Sequence, residues 1–368
     1  MKIDVSIVGG GPAGLATAIA LRQQGLSVVV ADSSQPPIDK VCGEGLMPNT
    51  VATLRHLGIS LGPTQAIPFR GIRFVAAGTA AEAAFPQGYG LGVRRPILHQ
   101  VLVDRAAEAG VQFLWGTCVT GVNNRELLLG SGRIQSRWII GADGQNSRVR
   151  NWVGFDRGRQ HIRYGFRQHF RVVPWSDFVE VHWGGNCQIV VTPVSETEVC
   201  LVVTSRSPKL RLKEALGQFP EIAQRLKGHT ILTKDLGAVS ALSVVRNVYQ
   251  DHFALVGDAS GSVDSLTGEG LGLAFQQARA LAAAIANNDL PRYQSAHRRI
   301  NRIPVLMSRL LLAMESHAWL RHRALNALSK ESQLFSRLLG AHVGNFSAAD
   351  LGIGNILKLG GRLLATPS

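Results

Sequence analysis

Near the N-terminus, Gly9-Gly10-Gly11-Pro12-Ala13-Gly14 satisfies a G-x-G-x-x-G pattern. Each of its spaced glycines answers a different steric demand. Gly9 permits a tight turn, Gly11 lets the backbone approach a diphosphate with no Cβ in the way, and Gly14 allows a helix to pack close to a strand. Pro12 and Ala13 fall where that helix opens, so its free N–H groups and partial positive charge meet the same anion. Asp32, eighteen residues beyond Gly14, can accept both hydroxyls of an adenosine ribose. Gly141-Ala142-Asp143-Gly144 and Gly257-Asp258 again pair a glycine that lets the chain pass close to a ligand with an acid that accepts O–H bonds. The chemistry these residues point to is the binding of a dinucleotide. The competing readings are a glycine turn that only packs, and helix capping or a plain turn for either Asp143 or Asp258.

The glycine pattern does not separate flavin from nicotinamide dinucleotides, but a family resemblance does. Gly141-Ala142-Asp143-Gly144-Gln145-Asn146-Ser147, followed by Arg148 and Arg150, is similar to the D-G segment of the para-hydroxybenzoate-hydroxylase-like flavoproteins. Gly257-Asp258-Ala259 resembles their G-D segment, and the three motifs in this order span roughly residues 1–280. The resemblance implies an FAD cofactor, with Asp143 and Val119 among its contacts and Asp258 bonded to the flavin-side ribose. It implies Arg95 near the diphosphate in preference to Arg94, with a surface salt bridge as the alternative. Gly268-Glu269-Gly270-Leu271-Gly272 opens a helix whose N–H groups would then face the electron-rich N1/O2 edge of the isoalloxazine.

Lys40-Val41-Cys42-Gly43-Glu44-Gly45-Leu46, together with Leu266-Thr267-Gly268-Glu269-Gly270, resembles the geranylgeranyl-reductase branch of that superfamily. This adds Lys40, Cys42 and Gly43 to the implied cofactor contacts. The branch has a proline where Ser265 stands here, which leaves this loop less constrained. Cys42 reads either as a thiol near the flavin edge or as a structural one. Cys42 and Glu269 are the candidates for a catalytic role, which the sequence assigns to neither.

The Y-x-W-x-F-P segment of the prenyl-reducing enzymes is replaced by Cys187-Gln188-Ile189-Val190-Val191-Thr192-Pro193, and the W-x-W-x-I-P motif of flavin-dependent halogenases is missing. A flavin hydroxylase needs little acid–base machinery from its protein. The expected activity is therefore NAD(P)H-dependent hydroxylation of a hydrophobic or phenolic molecule. Reduction of an isoprenoid or lipid C=C bond is the alternative, and a flavin-binding protein without turnover the third reading. No second dinucleotide domain is visible, so NAD(P)H would bind transiently or a partner reductase would supply electrons. Phe166, Phe170, His169, Trp175, His182 and Trp183 read either as walls of the substrate cavity or as core and surface residues.

The elements that must position these residues can be read from periodicity. Val5–Val8, a glycine turn, a helix over Gly11–Gln24, Gly25 and a strand over Ser27–Ala31 make a β-α-β opening. Short buried strands at Trp138–Ile140 and Phe253–Val256 each end in a ligand-facing turn. Alternating stretches at Phe166–Val172, Val179–Trp183, Gln188–Thr192 and Glu198–Val203 predict an antiparallel sheet, with a turn marked by Thr192-Pro193 and Ser195. From Leu271 to about Leu339 the chain reads as helical, interrupted near Asn287-Asn288 and Pro291. The fold class is α/β, α+β overall: a Rossmann-type FAD-binding domain (1–68, 93–155 and 246–290), an inserted antiparallel-sheet substrate domain (69–92 and 156–245) and a C-terminal helical cap (291–368).

Composition narrows the setting. With 45% hydrophobic and 17% charged residues, wholesale disorder is excluded. Cys42, Cys118, Cys187 and Cys200 lie far apart without C-x-x-C pairing, so neither a zinc site nor a disulfide framework is expected, and a reducing cytoplasm fits. The net charge of +14 raises the question of anionic partners. From Leu290 onward eleven Lys/Arg stand against three Asp/Glu, interleaved with Ile303, Leu306, Leu310 and Met314. That pattern reads as a solvated helix face or as a peripheral membrane contact, and nucleic acid is not expected as a partner.

Overall fold

The computed structural model describes residues 3–344 apart from 131 and 157–159. At its centre Ile3–Val8 pairs in parallel with Val28–Asp32 on one side and Gly132–Gly141 on the other. Phe253–Leu255 and Gln112–Trp115 extend this sheet in parallel at its two sides. Such strands are buried on both faces, which is why Val5, Ile7, Val30, Ile139 and Ile140 form continuous apolar runs with at most 1% exposure. The pairing register matters most for function. Val8 lies opposite both Ala31 and Gly141, and Gly141 lies opposite Leu255. The turns beginning at Gly9, Asp32, Ala142 and Val256 must therefore leave the sheet side by side, over the carboxyl ends of the strands, where α/β folds bind ligands.

Helices Pro12–Gln23, Arg95–Glu108 and Gly270–Ala286 cover this sheet. The strand expected at Trp138–Ile140 runs from Gly132 to Gly141, because its first half joins an antiparallel meander with Glu126–Leu129 and Val119–Asn123. One face of that half is wet, so it lacks the apolar run that marks the rest.

A second, nine-stranded sheet holds Gln160–Arg171, Glu198–Ser205, Cys187–Ser195 and Phe178–Trp183 in antiparallel sequence. Gly71–Ala76 adds to it in parallel, from Phe178↔Gly71 to Trp183↔Ala76. Thr192 and Pro193 do not form the expected turn, since the strand continues to Ser195. Pro193, which has no N–H to give, sits at a register irregularity against Glu198–Ser205, where a proline is tolerated.

At the C-terminal end, Gly270–Ala286 is followed by Leu290–Ser316, Ala318–Lys330 and Ser332–His342. The break falls at Asn287–Asp289. Pro291 lies in the first turn of the next helix, with the Asp289 side chain accepting from the Arg292 N–H at 3.1 Å. Residues 345–368 of the expected cap lie outside the described residues.

Candidate active site

A cavity of about 730 Å³ runs from the carboxyl ends of the parallel strands to the underside of the C-terminal helices. The N-terminal glycines divide by what surrounds them. A Cβ on Gly9, at φ +108°, would lie 2.4 Å from the Ala142 carbonyl oxygen, and one on Gly14 would lie 1.9 Å from the Gly9 oxygen. Both positions are closed by backbone. A Cβ on Gly11 would meet nothing within 4 Å, because Gly11 faces the cavity, as do Gly9, Pro12 and Ala13. Gly14 does not border it and serves packing alone.

Asp32 borders the cavity and is held in place by two amides: Gly10 N–H donates to Oδ2 at 2.7 Å and Ser34 N–H to Oδ1 at 2.8 Å. Behind this turn stands His99, which sequence reasoning missed. Its Nε2 donates to the Gly10 carbonyl at 2.9 Å and its Nδ1 accepts from the Ile38 N–H at 3.3 Å, a pattern only the neutral ring can make. Burial holds its pKa below the usual histidine range in agreement. His99 lies one helical turn beyond Arg95, which also borders the cavity and whose Nε is buried without a partner. Arg94 does not border the cavity and pairs, half-buried, with Glu198 at 2.8 Å.

Lys40, Cys42, Gly43 and Val119 border the same cavity, and Gly43, like Gly11, has open space where a Cβ would project. Glu44, which completes this loop, is the second residue sequence reasoning missed. It is buried at φ +59°, a backbone conformation rare for a non-glycine residue. Its Oε1 accepts from the Arg95 N–H at 2.8 Å and from Arg167 Nη1 at 3.1 Å, while Oε2 lies 2.6 Å from His169 Nε2.

Asp143 carries both readings at once. Its Oδ2 caps the helix Arg148–Val153, accepting from the N–H groups of Arg148 and Val149 at 2.7 and 3.2 Å, whereas Oδ1 is buried without a partner and the residue borders the cavity. Gly257 and half-buried Asp258 reach the cavity from the neighbouring strand end. Gln277 Oε1 holds that turn by accepting from the Gly257 N–H at 2.8 Å.

The Gly270–Ala286 helix presents an end without a side-chain cap, and Gly268, Gly270 and Leu271 face the cavity there. Gly270 again has open space at its missing Cβ. Two expected site residues of this segment face elsewhere. A Cβ on Gly272 would strike Thr50 Oγ1 at 2.5 Å, so Gly272 serves the packing of this helix against Pro48–His56. Glu269 is buried away from the cavity, its Oε2 accepting from Asn49 Nδ2 at 3.3 Å, and burial raises its pKa.

The far half of the cavity is apolar. Val179, Val181, Val190 and Val202 rise from the large sheet to face Met307, Leu311 and Met314 on Leu290–Ser316 and Leu328 and Leu339 on the last helices. None of the six aromatic and histidine residues expected as candidate walls borders it. Phe166 and Phe170 point to the opposite side of the sheet, into a core with Leu212, Phe219 and Ile222. Glu180 binds Trp175 Nε1 at 3.0 Å and His182 Nε2 at 2.9 Å on that outer side, while His169 is engaged by Glu44. Trp183 packs among Leu325 and Leu328 beyond the end of the cavity. Alternation along a strand decides which residues point inward, and here it selects the valines.

Three glycines open to the cavity, with the unpartnered Asp143 Oδ1 and Arg95 Nε, fit a large ligand carrying a diphosphate and hydroxyls. Consistent with this, the family described as FAD binding domain matches residues 2–288. The chain belongs to that FAD-binding family. Among relatives of this flavoprotein, a menaquinone reductase of Mycobacterium tuberculosis is 29% identical over 320 residues, covering 78% of each chain. A digeranylgeranylglycerophospholipid reductase of Methanothermobacter thermautotrophicus is 24% identical over 295 residues, 73% of each chain. A ubiquinone hydroxylase of Rhodospirillum rubrum is 27% identical over 312 residues, 76% of this chain and 71% of that one. In fold, the flavoprotein superposes on a flavoprotein/dehydrogenase from Cytophaga hutchinsonii with a TM-score of 0.84 at 19% identity over 99% of both chains.

Proposed function

We propose that this FAD-dependent oxidoreductase reduces a C=C bond of an isoprenoid lipid. The observation that carries the reading is the largely apolar far half of the cavity, walled by valines on one side, by leucines and methionines on the other, and by the stacked rings of Phe74 and Phe335. Such a chamber takes a flexible hydrocarbon chain. Trp175, His169 and His182 face away from it, and His342, Thr192 and Thr204 are among the few polar side chains at these walls, so the hydroxylation reading that the sequence favours stands second. The reductases among the relatives support the same direction.

In this reading Gly9, Gly11, Pro12 and Ala13 cradle the FAD diphosphate against the first helix, with Arg95 as its cation. Asp32 and Asp258 accept the hydroxyls of the adenosine and flavin-side sugars, and the N–H groups at Gly270 and Leu271 face the pyrimidine edge of the ring. Bound flavin supplies a hydride. The protein excludes water with its largely apolar walls, holds the alkene in reach, and delivers a proton to the second carbon from the Cys42 thiol, which borders the cavity. NAD(P)H or a partner reductase supplies the electrons.

Hydroxylation of a lipophilic quinone-like molecule is the second reading, favoured by the ubiquinone hydroxylase among the relatives. One experiment separates the two. Protein reduced under anaerobic conditions is mixed with geranylgeraniol, and a parallel reduced sample holding a lipophilic quinone is mixed with oxygen. Reoxidation of the flavin by the alkene, with product gaining two hydrogens, is expected. Reoxidation only by oxygen, with product gaining one oxygen atom, overturns the proposal in favour of the second reading.

A further inference from the structure

The helix Leu290–Ser316 has two faces with different surroundings. Inward, Met307, Leu311 and Met314 line the apolar half of the cavity. Outward, Arg298, Arg299, Arg302 and Arg309 are exposed along one side, and no exposed residue of this helix is acidic. On the same side Leu306 is 66% exposed and Leu310 44%. Trp319, at the start of the following helix, is 58% exposed, with the Arg323 guanidinium 5.7 Å from its ring centre. Large apolar side chains presented to water among arginines are the composition of a helix that lies in the headgroup region of a bilayer.

Leu310 belongs to both environments, since it is exposed and also borders the cavity. The cavity therefore opens to solvent beside Leu310. The basic apolar face is thus continuous with an opening into the chamber assigned to a lipid chain. No helix among the described residues is long and apolar enough to cross a membrane, so a contact made by this face is peripheral.

We propose that the outer face of Leu290–Ser316, with Trp319, docks onto the surface of an anionic phospholipid bilayer and sets the opening at Leu310 against it. Charge complementarity selects the occupant: the arginines meet lipid phosphates and acidic headgroups, while Leu306 and Trp319 enter the acyl boundary. Nucleic acid would use the arginines but leave Leu306 and Trp319 in water. The purpose of the docking rests on the isoprenoid-lipid reading, but the docking itself is measured without turnover.

The test is cosedimentation of the FAD-loaded, full-length protein with vesicles of phosphatidylcholine alone or mixed with phosphatidylglycerol, at low and high salt. Binding to the mixed vesicles is expected, weakened by salt and lost on pure phosphatidylcholine. Each arginine near the surface contributes roughly five-fold in partitioning, so Arg302→Glu with Arg309→Glu is expected to lower it by about 25-fold or more. Leu306→Ser is expected to weaken binding at both salt concentrations, because its contribution is apolar. Flavin content and thermal unfolding of each variant establish that it is folded. Wild-type protein that ignores the mixed vesicles, or variants that bind as wild type does, overturn the proposal. Docking without isoprenoid reduction would leave this inference standing and sink only the proposed reaction, whereas reduction of a detergent-dispersed substrate without docking would do the reverse.

Discussion

Replacing Gly11 by alanine tests the assignment of the open space beside it to the FAD diphosphate. The residue sits at φ −70° and ψ 176°, which any amino acid adopts, and its added Cβ would touch nothing in the protein within 4 Å. Two small effects on the unliganded fold then oppose each other. The less flexible unfolded chain favours the variant by about 0.4–1 kcal/mol, while losing glycine from the helix N-cap costs roughly 0.5–1 kcal/mol. Unliganded stability is therefore expected to move by less than about 1 kcal/mol. In the holoprotein the methyl group occupies space the diphosphate needs, and overpacking of this kind costs about 1–3 kcal/mol, or roughly 5- to 150-fold in Kd. The assay is FAD titration by fluorescence quenching, set beside thermal unfolding of apoprotein. Gly14→Ala is the contrast, since its Cβ would lie 1.9 Å from the Gly9 oxygen and the fold itself must give way. An unchanged affinity for FAD in Gly11→Ala, or an apoprotein that no longer folds, would refute the assignment of this space to the cofactor.

Asp258→Ala removes a half-buried acceptor at the cavity. A hydrogen bond to a charged group contributes about 1.5–3 kcal/mol, so purified protein is expected to lose most of its flavin, and full flavin absorbance per chain would remove Asp258 from the site. His297, whose Nε2 lies 2.9 Å from Ser260 Oγ beside the Gly257–Ser260 turn, has its pKa pushed down to about 4 from 6.5, chiefly by burial and then by Arg298. The unfolded chain takes up this proton first on acidification. The contribution is thus present above the unfolded value and is lost as pH falls from 6.5 through about 4. It amounts to about 2 kcal/mol at around pH 5 relative to neutral pH. Urea unfolding across this range is expected to show a shallower slope for His297→Gln, and an identical slope would exclude His297 as its source.

Much of the cofactor half could be read in the sequence because its information is local. Each glycine-and-aspartate turn follows its own apolar strand, and shared register then brings Val8, Ala31, Gly141 and Leu255 together. The assignments that went astray depend on direction within an element. At the start of Gly270–Ala286, Gly270, Leu271 and Ala274 share the cavity side, whereas Glu269 and Gly272, three residues apart, share the side facing Pro48–His56. Composition says that an end is rich in glycine but not which side meets the ligand. His182 was preferred as a wall to Val181 beside it, since alternation identifies two faces of a strand without saying which one is enclosed. His99 and Glu44 were missed because their partners lie far along the chain: Gly10 for the first, Arg167 and His169 for the second.

Glu44 also limits how the protein can move. One carboxylate joins the loop carrying Cys42 and Gly43 to the start of the Arg95 helix and to Gln160–Arg171 of the large sheet. Removing one member of such a buried ionic set costs about 3–5 kcal/mol. The two sheets are consequently riveted together beside the cavity, and a hinge there would have to break that rivet. A bulky substrate is instead expected to enter past the C-terminal helices, where Leu310 is both exposed and cavity-lining.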